Sequence, residues 1–264
     1  MEKYLEVNRD LWNAKTPIHL NSEFYDVPAF KAGKSSLNPA ELESLGDVKG
    51  KSILHLQCHF GMDSLSWSRL GAKVTGVDLS DRAIEAAKEL NNELGLDAEF
   101  ICSDVYDLKS VLDKKFDIVF TSYGTIGWLP ELDPWAEVVS HFLKPGGIFF
   151  IAEFHPVRWM YDDDCKNIDY SYFNVEPIIE EISASYADRD RIIKHLSYGW
   201  NHPLSEVFTS LMKQNLVITE FKEYPYSYYK LLNFTVKNEL GYWEIKGLEG
   251  KFPLMYSLKA AKKE

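Results

Sequence analysis

Two aspartates stand at the ends of successive apolar stretches: Asp78 closes KVTGVD and Asp104 follows EFICS. A carboxylate in the first position can accept from both hydroxyls of a ribose diol. One in the second can accept from an adenine amino group while the N–H of Val105 donates to a ring nitrogen. The pair would read a nucleoside if both acids reached one edge of a sheet. Three further clusters also follow apolar runs: Gln57, Cys58, His59 and Gly61 in HLQCHFG, Ser122 and Tyr123 in FTSY, and Glu153 to His155 in AEFH. His155, and His202 further along, have the chemistry of a general base, and Tyr123 that of a positioning group.

Such an edge requires alternating elements. SILHLQ reads as a strand, GMDSLSWSRLGA as a helix with a glycine stop, and KVTGVDLS as a strand. DRAIEAAKELNNELG is the next helix, capped by Ser80 or Asp81, and AEFICSD, carrying Ser103 and Asp104, the third strand. FDIVFTSY follows, then helix DPWAEVVSHFLK, the turn Lys144-Pro145-Gly146-Gly147, and the strand GGIFFIAEF. Right-handed crossovers make this a doubly wound α/β parallel sheet with helices on both faces, whose ligands sit beyond the carboxyl ends of the strands.

From His155 to His202 the alternation gives way to a polar, aromatic stretch containing strand-like IIEEISASY and RIIKHLSYGW. An insertion of that length at the functional edge is expected to cover the site. PLSEVFTSLMKQNL then reads as a helix, and VITEFKEYPYS and FPLMYSLKAAKK as strands. A first helix is expected around Glu2 to Trp12, before an irregular aromatic segment. The expected organisation is one domain over 1–264, with a cap segment at 1–50, a cofactor-binding core at 51–154, a lid or substrate insertion at 155–203 and a C-terminal helix and strands at 204–264.

With ILHLQCHFG in the place of a hydrophobic strand and glycine-rich turn, and acids closing the next two strands, residues 50–155 resemble the class I S-adenosylmethionine-dependent methyltransferases of the small-molecule type. The resemblance implies a Rossmann-like, seven-stranded, mostly parallel sheet whose antiparallel last strand lies between the fifth and sixth; the two C-terminal strands are the matching candidates. It implies S-adenosylmethionine as cofactor, with Asp78 on the ribose, Leu79 against adenine, Ser103, Asp104 and Val105 at the adenine edge, and the backbone around Gln57, His59, Gly61, Ser122 and Tyr123 at the methionine end. The departure is in the turn, where Gln57 and His59 replace the usual glycines and only Gly61 remains. Histidine visits positive φ more readily than most residues, so a turn that binds through its backbone tolerates these side chains if they point away. The dinucleotide alternative, an NAD-dependent oxidoreductase, needs the G-x-G-x-x-G that is missing. A non-catalytic sensor or scaffold that binds the cofactor is the other alternative.

The totals set outer limits. With 264 residues, 45% hydrophobic and 14% aromatic, the chain can bury one sizeable core. A net charge of -11, with no stripe of Lys and Arg, argues against nucleic acid and anionic membranes as partners, and the resemblance implies a small-molecule methyl acceptor. No apolar run of about 18 residues is present, and Cys58, Cys102 and Cys165 are odd in number and widely spaced, which suits reduced thiols in a cytoplasmic protein. No metal is expected: His55, Cys58 and His59 have no second cluster to complete four zinc ligands, and His55, between Leu54 and Leu56, reads as a hydrogen-bonded core histidine. Asp162-Asp163-Asp164 reads as a solvated loop rather than a metal-binding D-x-D. His141 is expected to be structural. Trp159, Tyr161, Trp200, Tyr224, Tyr226, Tyr228 and Tyr229 line a pocket or fill core, and Trp12, His19 and Tyr25 either fold over the cofactor or pin the N-terminal segment to the sheet. The acceptor and the oligomeric state have no signature in the sequence.

Overall fold

A computed structural model describes residues 3–162, 164–232 and 234–263. Glu2, where the first helix was expected to begin, and Asp163 lie outside the described residues. The chain opens with α1 (Lys3–Leu20), α2 (Val27–Lys31) and α3 (Pro39–Leu45). The alternating core follows: β1 (Ser52–Leu56), α4 (Met62–Arg69), β2 (Lys73–Asp78), α5 (Asp81–Glu93), β3 (Glu99–Cys102), α6 (Leu108–Val111), β4 (Phe116–Ser122), α7 (Leu132–Phe142) and β5 (Leu143–Phe154). Then come the hairpin β6 (Ile178–Ser185) and β7 (Asp188–Gly199), α8 (Leu204–Lys213), β8 (Leu216–Tyr224), the short pair β9 (Thr235–Lys237) and β10 (Trp243–Ile245), and β11 (Met255–Lys262).

Seven strands form one sheet in the order β3-β2-β1-β4-β5-β11-β8. The first five are parallel, and β11 runs antiparallel between β5 and β8. The expected insertion of the last strand between the fifth and sixth is therefore met. Central strands covered on both faces must be apolar on successive residues, and Ile53 and Leu54 of β1 are both fully buried. On one face Leu54, Val119 and Phe149 pack with Trp135 and Val139 of α7 and Val207 and Leu211 of α8. On the other, Ile53, Phe120 and Phe150 pack with Trp67 of α4 and Leu45 of α3.

Gly61 begins α4 at φ 80°, and a Cβ there would lie 2.7 Å from the Phe100 ring. Glycine thus answers both a left-handed backbone and a close approach. Gly61→Ala is expected to lower stability by about 1–3 kcal/mol in urea denaturation, through overpacking and backbone strain.

The N-terminal segment is more ordered than its sequence suggested. α1 runs past Trp12 through Pro17 to Leu20, and the stretch read as irregular contains α2 and α3. Three contacts along α1 fasten it. Asn8 exchanges two hydrogen bonds with the Tyr198 backbone at 2.8 and 2.9 Å. Asn13 Oδ1 accepts from Ser80 Oγ at 2.6 Å, on the residue that also caps α5 by accepting from the Ala83 N–H. His19, with no exposed surface, meets His59 Nε2 through Nδ1 and Ser185 Oγ through Nε2, each at 2.8 Å. One histidine therefore joins α1, the turn after β1 and the end of β6.

Two ring nitrogens at that separation share one proton, and burial favours the neutral form of both rings. Burial holds His19 down to about 2, assisted by His59 and Lys15, and His59 down to about 3, assisted by Lys15. In the unfolded chain each titrates near 6.5. The unfolded state therefore binds more protons below that pH, so the stability present above 6.5 is lost as pH falls. His19→Gln should reduce this dependence by up to one proton, about 1.4 kcal/mol per pH unit between roughly pH 6 and 4. It should also speed amide exchange in α1 and the β6–β7 hairpin more than in the central strands. Equal pH slopes for variant and wild type would contradict the clasp.

Candidate functional site

The carboxyl ends of β1, β2, β3, β4 and β5 open into one cavity of about 1320 Å³. That exceeds the range of roughly 300–1,000 Å³ usual for a single small ligand. The turn after β1 forms its floor. Gln57 and His59 both take left-handed backbone, φ 56° and 52°, where glycine would ordinarily stand. The His59 ring is carried towards α1, with ring centroids 5.2 Å from Trp12 and 5.0 Å from His19. Gln57 Nε2 donates to Thr125 O at 2.8 Å, whereas its buried Oε1 has no partner among the described residues.

Asp78 ties this turn to the next strand. Its Oδ2 accepts from the His59 N–H at 2.8 Å and its Oδ1 from the Ser80 N–H at 2.9 Å. Burial pushes the carboxyl up to about 6, against the pull of the Ser80, His59 and Leu79 amides, so it is ionised for the most part at neutral pH. Leu79, Asp104 and Val105 line the cavity beside it. Ser103 does not line it: its amide donates to Asp78 O and its hydroxyl to Asp104 O. Across the cavity, Glu153 is buried and its carboxylate accepts from the amides of Gly124, Thr125 and Ile126, which braces the loop after β4.

The expected bases fare differently. His155 is buried outside the cavity; Nδ1 accepts from the Val157 N–H at 3.2 Å, and Nε2 donates to Glu223 at 2.9 Å. His202 lines the cavity, but both ring nitrogens are engaged, with Leu129 O at 2.7 Å and Glu206 at 3.0 Å. Tyr123 also lines it, at φ 25°, with its hydroxyl donating to Glu41 at 2.7 Å. Of the aromatic candidates, Trp159, Tyr161, Trp200, Tyr228 and Tyr229 line the cavity and Tyr224 and Tyr226 do not. Trp12 and Tyr25 line it as well.

The remaining sequence candidates sit apart. His55 is a core residue, with Nδ1 2.8 Å from Ser64 Oγ. Asp162 accepts from loop amides and Asp164 pairs with Lys166, while the intervening Asp163 lies outside the described residues. His141 is exposed on α7. Among the described residues no three His, Cys, Asp or Glu side chains gather as a metal site, and no helix is long and apolar enough to cross a membrane.

Three charged groups of the site were not anticipated. Lys15 is 5% exposed and lines the cavity, with its ammonium 4.9 Å from the Trp12 ring and 5.5 Å from Trp128. No acid lies within ion-pair distance of it among the described residues, and burial lowers it to about 8. Asp63, in the first turn of α4, accepts from the hydroxyls of Ser36 at 2.6 Å and Ser122 at 2.9 Å. Glu41 of α3 stands behind Tyr123. A helical face in WNAKTPIH, with Trp12, Lys15 and His19 three and seven residues apart, was the one local signal for Lys15. Asp63 and Glu41 have none, since their partners are remote in sequence.

Residues 53–147 match a family described as a methyltransferase domain. The ubiquinone biosynthesis O-methyltransferase of Xanthomonas euvesicatoria pv. vesicatoria is 28% identical over 136 residues, 50% of this chain and 56% of that protein. Its counterpart in Chromobacterium violaceum is 30% identical over 119 residues, 44% of this chain and 51% of that one. The chain thus spans about half the length of these curated relatives. In three dimensions it resembles an S-adenosylmethionine-dependent methyltransferase from Clostridium acetobutylicum, with a TM-score of 0.58 at 14% identity, covering 97% of this chain and 99% of that one. Residues 53–147 thus match a methyltransferase domain, and the β3-β2-β1-β4-β5-β11-β8 sheet has the topology of the class I S-adenosylmethionine-dependent methyltransferase fold.

Proposed function

We propose that this protein transfers a methyl group from S-adenosylmethionine to a small molecule. The observation that carries the reading is Asp78: a carboxylate at the end of β2, inside the cavity, held in place by the amide of the adjoining turn. Its remaining lone pairs suit a ribose diol, and Asp104 and Val105 suit the adenine edge. Lys15, a buried cation without an anion, suits the methionine carboxylate, and the unpartnered Gln57 Oε1 suits the methionine ammonium. In this reading residues 1–50 cap the cofactor, 155–203 cover the acceptor, and Ser103 acts only through the backbone. The three free cysteines support a cytoplasmic setting.

When bound, the cofactor supplies an electrophilic methyl on a sulfonium, so the transfer requires no protein nucleophile. The chain's own contribution is alignment and exclusion of water, and orientation of this kind is worth up to about 7–11 kcal/mol. The aromatic walls, among them Trp159, Tyr228 and Tyr229, favour a planar or cationic acceptor. A volume beyond one ligand's needs favours an enzyme over a sensor.

Calorimetric titration tests the assignments. Asp78→Ala is expected to weaken S-adenosylhomocysteine binding by about 10- to 100-fold, the worth of hydrogen bonds to a charged group, and His141→Ala to leave it unchanged. Lys15→Met should weaken S-adenosylhomocysteine but not 5′-methylthioadenosine, which lacks the amino-acid end. Full affinity in a folded Asp78→Ala protein would refute the ribose assignment.

A further inference from the structure

Both histidines at the expected base positions have their ring nitrogens engaged by protein groups, so a proton released by the acceptor requires another destination. Tyr123 offers one. A bulky residue at φ 25° is a backbone outlier, of the kind that clusters where a side chain must be aimed. Tyr123 lines the cavity, and its hydroxyl donates to Glu41 Oε2. Glu41 itself is wholly buried and is not part of the cavity wall. Its other oxygen accepts from the Asn38 N–H at 2.8 Å.

The groups facing Glu41 come from four places: Asn38 on its own segment, Asp63 on α4, Tyr123 after β4, and Tyr228 and Tyr229 after β8. No Lys, Arg or His among the described residues pairs with it. A negative charge there is both desolvated and repelled by Asp63. Burial first, and Asp63 second, push the carboxyl up to about 8, against the Asn38 amide and the Tyr123 hydroxyl. No positive charge among the described residues faces Glu41, and the sulfonium of the proposed cofactor is one.

We propose that Tyr123 takes the acceptor's proton during methyl transfer and passes its own to Glu41, and that Glu41 becomes a carboxylate when the sulfonium enters the cavity. The inference rests on the methyltransferase reading above. In the step, the acceptor's O–H or N–H bond breaks towards Tyr123 Oη, and the Tyr123 proton moves to the Glu41 carboxylate. The acceptor's electron pair forms the new bond to the methyl carbon, and the carbon–sulfur pair returns to sulfur as a thioether. Positive charge on sulfur and negative charge on Glu41 disappear together, so the buried site ends neutral. Tyr123 is the catalytic residue in this scheme and Glu41 a positioning residue that acts through it.

S-adenosylmethionine and S-adenosylhomocysteine differ by the methyl group and its charge, so the difference in protons released on binding isolates the effect. Calorimetry near pH 7.5 in phosphate and in Tris should give roughly half a proton more released with S-adenosylmethionine than with S-adenosylhomocysteine. Glu41→Gln should abolish the difference while retaining S-adenosylhomocysteine affinity within about threefold, a loss that a packing role alone would not produce. Tyr123→Phe should keep it. Infrared difference spectra of the wild-type protein provide a second readout that needs no variant: a protonated carboxyl band should disappear with S-adenosylmethionine and persist with S-adenosylhomocysteine. Equal proton counts in the wild type, a difference that survives in Glu41→Gln, or an unchanged carboxyl band would each overturn the proposal. Failure of both ligands to bind would fall on the methyltransferase reading itself and remove the proposal with it.

Discussion

The site depends on one hydrogen bond, from the backbone N–H of His59 to the carboxylate of Asp78. It fixes the turn after β1 to the end of β2, and the turn in turn aims Gln57 at Thr125 and the His59 ring at His19. A glycine-poor turn can hold this course because Gln57 and His59 adopt left-handed backbone while their side chains are held by distant partners. The conformational cost of φ near 50° is of order 1–3 kcal/mol per residue and is offset by surroundings that over-determine each side chain. A histidine where glycine would be easier also gives α1 something to grasp, so the same substitution that strains the turn secures its cover.

Charge is distributed in the cavity with little internal compensation. Lys15 has no acid within reach among the described residues, while half-buried Asp63 and fully buried Glu41 face each other and are held by hydroxyls and an amide. Buried charges are costly unless paired, so an arrangement of this kind is better suited to a ligand that is itself charged in several places than to an empty core. The proposed cofactor carries a carboxylate, an ammonium and a sulfonium. Proteins often give up stability at such sites, and the clasp at His19 together with the Glu153 brace stiffens the two loops that surround this one.

Much of the frame was legible in the sequence because it depends on local rules. Buried parallel strands read as continuous apolar runs, Ser80 announces α5, and acids at strand ends fall where the sheet's topology must bring them together. What was not legible depends on contacts made across the chain. Tyr123 and Glu41 are 82 residues apart, and Lys15 becomes a cavity residue only because α1 continues through Pro17 beyond Trp12. His155 has the position of a strand-end base, but its side chain leaves β5 towards Glu223 of β8, a direction set by the antiparallel partners of β11. Position along a strand could be read from the sequence; the direction of a side chain past its end could not.

The central proposal is that the edge built by Asp78, Asp104 and the β1 turn is an adenosyl site, lacking the G-x-G-x-x-G that a pyrophosphate-bearing dinucleotide requires. The most direct measurement is a calorimetric titration of the unmodified protein with S-adenosylhomocysteine and, separately, with NAD. Saturable one-site binding of S-adenosylhomocysteine and no heat from NAD is the predicted result. Saturable binding of NAD, or no binding of S-adenosylhomocysteine to the folded protein, would contradict the account.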